Sequence, residues 1–97
     1  MKNTLAPLLI ALVTLGLPAA AQADCFVEYK AKQDSPLRLH YGILAIKGSC
    51  PLAPQAASTA QARLSAGGWV LLNVLGLSEQ SPTAQMRSNA GDYYLRY

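Results

Sequence analysis

The chain is poor in the residues on which most chemistry depends. Its 97 residues include one histidine, two cysteines and five acidic residues, and only 13% are charged. Two cysteines and one histidine fall short of the four ligands that a structural zinc site needs. The acids Asp24, Glu28, Asp34, Glu79 and Asp92 are dispersed, so no metal site and no cofactor is expected. The cysteines lack the C-x-x-C spacing of a redox dithiol. No serine sits in a hydrolase nucleophile motif. No glycine-rich loop precedes a helix, so nothing offers N–H groups to a phosphate. The net charge of +3 is small and its basic residues are spread along the chain. A nucleic-acid footprint needs them clustered.

The N-terminus has the pattern of a secretory signal peptide. Lys2 supplies the positive start, Leu5–Leu17 the apolar stretch, and Ala21-Gln22-Ala23 the small residues of a cleavage site. The apolar stretch is shorter than the roughly 20 residues of a membrane span. Residues 1–23 are therefore expected to be removed, leaving 24–97 as a single small domain in the periplasm or outside the cell. Asp24 precedes Cys25, which argues against lipid attachment and for no membrane insertion after cleavage. In an oxidising compartment Cys25 and Cys50 are expected to pair, because so small a domain has little core to rely on.

Hydropathy patterning predicts an α+β fold of order β-β-α-β-β: a small antiparallel sheet of about four strands with one helix on a face. Residues 25–33, "CFVEYKAKQ", alternate as a half-buried strand. Asp34-Ser35-Pro36 is a turn, and residues 37–47 form the second strand of a hairpin. There Leu37, Leu39 and Tyr41 are expected to face the core, with Arg38 and His40 outward. A helix is predicted over 54–66, with an alanine-rich face and Gly67 as its stop. Strand three spans 69–78, the connection 79–91 holds at most a helical turn, and residues 92–97 form strand four beside strand three.

Strand three poses a problem. "GGWVLLNVLGL" is apolar on both faces, whereas a half-buried strand alternates. Asn73 shares a face with Trp69, Leu71, Leu75 and Leu77, which assigns Val70, Leu72 and Val74 to the helix side. Trp69, Leu71 and Leu75 then need another cover, either the connection 79–91 with Met86 as a plug or a second molecule.

Three fragments, "FVEYKAK", "ARLSAGGWVLLNV" and "DYYLRY", resemble a small bacterial family of unknown function. That family has a Tyr-x-Tyr-Lys first strand and a core ending Gly-Trp-Glu-Leu-Val. Tyr29-Lys30 and Gly68-Trp69 carry the match, which covers about half of residues 24–97 and implies a fold rather than an activity. The second strand and the cysteine pair depart from the pattern. "ARLSAGGW" and "YYLRY" are also similar to the sporulation-related repeat, which binds peptidoglycan glycans. That likeness implies a glycan ligand only by analogy of fold.

Function is expected to be binding rather than catalysis. Glu28 and His40 sit on adjacent strands, where an acid–histidine pair is usually a surface pair, so a small secreted hydrolase is the remote reading and no catalytic residue is assigned. Phe26, Arg38, His40, Trp69, Leu71 and Tyr94 form the expected binding surface. The leading reading is a non-enzymatic protein-interaction module that pairs with itself as a homodimer or with an envelope protein. The alternative is a glycan-binding or hydrolase-inhibitor module of the cell envelope, with peptidoglycan as partner.

Overall fold

A computed structural model describes residues 23–97, and the signal-peptide expectation for 1–23 falls almost wholly outside them. The architecture is α+β. Strands β1 (Asp24–Gln33) and β2 (Arg38–Lys47) form the hairpin, followed by helix α1 (Ala53–Ser65), strand β3 (Val70–Ser78), helix α2 (Ala84–Ala90) and a 3₁₀ turn at Gly91–Tyr93. The sheet has three strands in the order β2-β1-β3, antiparallel throughout. Among the described residues no fourth strand forms. Residues 92–97 contribute a single parallel bridge between Tyr94 and Ile43, on the outer edge of β2. Leu95 takes a left-handed backbone, φ 55°, which ends that pairing after one rung. β3 therefore pairs with β1 and not with the C-terminus.

Central β1 sets the two faces. Cys25, Val27, Tyr29 and Ala31 are fully buried on one. Helix α1 lies against that face through Ala56, Ala60 and Leu64, small side chains that let it approach closely. The disulfide Cys25–Cys50 ties the start of β1 to the segment that leads into α1.

The faces of β2 are the reverse of the expectation. Ala31 pairs with His40, Tyr29 with Gly42, Val27 with Leu44 and Cys25 with Ile46, so these even-numbered residues face the core. Leu37 and Leu39 are exposed instead. Gly42 makes this register possible. The Tyr29 ring lies across it, and a Cβ there would overlap the Tyr29 hydroxyl. An alternating hydrophobicity pattern cannot reveal a position whose core space is filled from the neighbouring strand. Gly42→Ala is expected to destabilise the fold by about 1–3 kcal/mol through overpacking, read as a shift in the urea midpoint. An unchanged midpoint would mean that Tyr29 moves aside freely.

The apolar run of β3 resolves through two irregularities in its register with β1, between Glu28 and Tyr29 and between Lys30 and Ala31. Each opposes two β3 residues to one of β1. The core-facing residues become Leu71, Val74 and Leu77, a period of three rather than two. Of the expected helix-facing set of Val70, Leu72 and Val74, only Val74 keeps that place. Val70 and Leu72 are about half exposed, and so is Leu75.

The second face of the sheet is covered over half its length. The connection after β3 folds back beneath it, burying Pro82, Ile43 and Ala90. Thr83 caps α2 by accepting a hydrogen bond from the Met86 amide.

Candidate functional site

Three places in the fold gather side chains able to act: an aromatic cluster around His40, a cleft beneath β3, and the uncovered half of the second face.

His40 is the centre of the cluster and is only 9% exposed. Tyr93 stacks on it with ring centroids 3.7 Å apart, and Trp69 meets it edge-on at 4.3 Å. Tyr29 approaches from below, its hydroxyl 2.9 Å from Nε2. Nδ1 is buried without a hydrogen-bond partner among the described residues. Tyr97 lies over Gly67, where a Cβ would meet its ring at 2.8 Å. Arg38 sits over Trp69, and Arg96 over Tyr93 and Tyr97, each with its guanidinium 5.8 Å from the ring. Burial, and secondarily the charge of Arg96, pushes the His40 pKa down to about 4. Burial likewise raises the Tyr29 hydroxyl to about 12. Each group is thus held in its neutral form. The cluster pins the C-terminal segment to the sheet and leaves no aromatic face free for a sugar at Trp69.

Glu28 is on the opposite face from His40. Its Oε2 accepts a hydrogen bond of 2.6 Å from the Tyr41 hydroxyl. Burial raises the Tyr41 hydroxyl pKa to about 12, with the Glu28 bond and charge adding to the effect. The Glu28–His40 pair considered from the sequence is therefore not assembled. Among the described residues no three histidine, cysteine or acidic side chains come close enough to hold a metal ion.

The cleft beneath β3 holds about 260 Å³ and is lined by Phe26, Glu28, Gly76, Ser78, Pro82 and Met86. Met86 does plug the second face, but under β1 and the end of β3 rather than under Trp69 or Leu71.

The remaining half of that face is open. The strand register places Leu39, Lys32 and Val70 in one row across the sheet, and Tyr41, Lys30 and Asn73 in the next. Side chains directly opposite one another share a face. Leu39 is 64% exposed and Val70 46%. Lys30 is exposed, and Lys32 lies 3.2 Å from the Asp34 carboxylate in the turn. Leu72 and Leu75, which the two register irregularities leave unpaired, are exposed further along β3.

Among the described residues, the outer edge of β3 is capped at its start. The Gln61 side-chain amide accepts from the Leu71 N–H at 2.8 Å and donates to the Trp69 carbonyl at 3.4 Å. It thereby occupies the first rung of a ladder, as a neighbouring strand would. The outer edge of β2 is covered more fully. Ile43 O accepts from Leu95 N and Ala45 O from Arg63 Nη1.

The six residues expected to share a binding surface are not brought together. His40 and Trp69 are buried, and Leu71 packs against the core. Arg38 is exposed above Trp69, Phe26 lines the cleft on the other face, and Tyr94 is half-buried beside β2. The register instead places Leu39, Lys32 and Val70 side by side, with Lys30 in the next row. The unusual β3 pattern singled out Leu75 as needing cover but assigned Val70 to the helix side, and nothing in the sequence marked Leu39, Lys30 or Lys32.

No protein-family model matches the chain, and no curated protein or solved structure is significantly similar to it.

Proposed function

We propose that this chain is an exported, non-catalytic protein-interaction module of the periplasm or extracellular space. Its contact surface is the open half of the second sheet face together with the β3 edge. Leu39 and Val70, which flank Lys32 on this face, carry this reading, with Leu72 and Leu75 exposed along the same edge strand. Large apolar side chains gathered on an open sheet surface mark places where proteins bind partners. The disulfide and the signal-like N-terminus support export. No helix among the described residues is long and apolar enough to cross a membrane.

A photo-crosslinking residue placed at Leu39, Val70 or Leu75, in the native host, is expected to trap a discrete protein adduct. The same residue at Ser58, exposed on α1, is not. The Val70 adduct should disappear in Leu75→Lys, because a charge on an edge strand opposes pairing and apolar contact. Equal labelling from Ser58 and Val70, or none from either, would sink the proposal.

A further inference from the structure

We propose that the cleft beneath β3 binds a small organic ammonium ion, at a site separate from the open face and independent of the function proposed for that face. Glu28 is the one charged side chain among the residues that line the cleft. Its two oxygens are used unequally. Oε2 accepts from the Tyr41 hydroxyl at 2.6 Å, a neutral donor that leaves the carboxylate its charge. Oε1 lies against Gly76, the residue opposite Glu28 on β3. Among the described residues no donor bonds to Oε1 and no basic side chain pairs with Glu28. Lys30, next along that face of β1, is exposed and outside ion-pairing distance. Arg87, on α2, donates to the Pro82 carbonyl at 2.8 Å and does not line the cleft. Two hydroxyls of the lining are already engaged: Ser78 accepts from the Gln80 amide and Thr83 from the Met86 amide. The cleft thus holds one anion without a counter-charge and one open acceptor oxygen on it.

Gly76 keeps that oxygen open. A Cβ at this position would stand 3.1 Å from Oε1. Glycine inside a strand weakens it, and its presence there often marks the close approach of a ligand or of another backbone. The backbone does not demand glycine here. Gly76 is not among the residues with positive φ, so the bulge beside it tolerates a side chain. The walls suit the body of an organic cation. Phe26 supplies an aromatic ring, which attracts positive charge, and Met86 supplies an adaptable thioether. A hard metal cation wants several oxygen ligands, and Glu28 is the only carboxylate in the lining. The volume, about 260 Å³, falls below the roughly 300–1,000 Å³ of sites for drug-sized ligands. A short free amine fits it, and a peptide does not.

Benzylamine, benzyl alcohol and benzoate share a ring and differ in charge, so they serve as probes. Each is titrated into the purified protein at neutral pH and followed by amide and methyl NMR shifts. Benzylamine is expected to move the Gly76 amide and the Met86 methyl, and to bind at least tenfold more tightly than benzyl alcohol. Benzoate should not bind. Glu28→Gln keeps an oxygen for the Tyr41 hydroxyl and loses the charge, so it should reduce benzylamine to the affinity of the alcohol. Gly76→Val fills the cleft with a residue that strands favour, and should abolish saturable binding while the amide spectrum of β1 and β2 is retained. Equal binding of amine and alcohol to the parent overturns the proposal, as does the absence of saturable benzylamine binding. A preference for the amine that survives Glu28→Gln, or binding undiminished in Gly76→Val, overturns it as well. Shifts centred on Trp69 and Tyr93 would place the amine in the aromatic cluster and overturn it. Tighter binding of an acetylated alanine–lysine–alanine peptide than of benzylamine overturns it in favour of a partner's lysine side chain.

Discussion

Reducing the Cys25–Cys50 disulfide is expected to lower the melting temperature by roughly 12–24 °C. The bridge closes a loop with a sequence separation of 25 residues, and a loop of that size restricts the unfolded chain by about 3 kcal/mol. For a domain of this size each kilocalorie moves the midpoint by about 4–8 °C. The site makes the full effect plausible on other grounds. Cys25 is completely buried at the start of β1, and Cys50 lies where the chain leaves the hairpin for α1. The helix itself begins weakly: Leu52 supplies no side-chain cap and the first turn has no acidic residue. Its buried face is two alanines and one leucine, which contribute little apolar area. The bridge and Pro54 therefore do much to orient α1 over the sheet. Thermal melts with and without reductant, repeated on Cys25→Ala/Cys50→Ala, measure the difference. A fall under about 3 °C would show that the sheet register alone holds the hairpin and helix together.

The parts of this fold that the sequence disclosed are those governed by local chemistry. Alternation in β1, the Asp34–Pro36 turn and the alanine-faced helix with its glycine stop each follow from a few adjacent residues, and the cysteine pairing follows from there being two of them in a chain expected to be exported. What it hid depends on contacts across strands. Gly42 has no side chain to mark a face in the sequence, and it is the space that receives the Tyr29 ring. That single contact turns His40 inward and Leu39 outward, which removes one residue from the expected binding surface and supplies another. β3 shows the same limit. Its continuous hydrophobicity signalled two faces to hide, but no period-two assignment describes it, because the two register shifts let every third residue reach the core. The C-terminal "DYYLRY" was read as a strand from its composition. It serves instead as a clasp, with Tyr93 and Tyr97 spent on His40 and Gly67. The open rows carrying Lys30 and Lys32 were visible only once the register was known.

Lowering the pH from 6.5 to 4 is expected to remove about 3 kcal/mol of stability through His40 alone. Its pKa falls from the usual 6.5 to about 4 on folding. Between those values the unfolded chain binds the proton and the folded chain does not, so acid favours unfolding across that window. The loss approaches its limit as pH passes below 4, where both states are protonated, and fades as pH rises above 6.5. The full difference corresponds to about 1.4 kcal/mol for each pH unit of the shift. The geometry gives the reason. The imidazolium would carry a proton on Nδ1, which has no acceptor, inside a cage of Trp69, Tyr29 and Tyr93. Arg96, stationed over Tyr93 and Tyr97, adds a like charge. Because Tyr93 rests directly on the ring, the C-terminal clasp should loosen before the hairpin does, unpinning Leu95 from the Ile43 carbonyl. Hydrogen exchange of the Leu95 amide should therefore accelerate below pH 6, relative to its intrinsic rate, before amides of β1 do. His40→Phe keeps an aromatic ring between Tyr93 and Trp69 and cannot be protonated. Its stability should be lower than that of the parent at pH 7, for want of the Tyr29 bond, and should lose the histidine-dependent slope between pH 6.5 and 4. Urea titrations at half-unit pH intervals on both proteins measure the slopes. Parallel profiles would show that His40 is not the group that couples acid to the clasp.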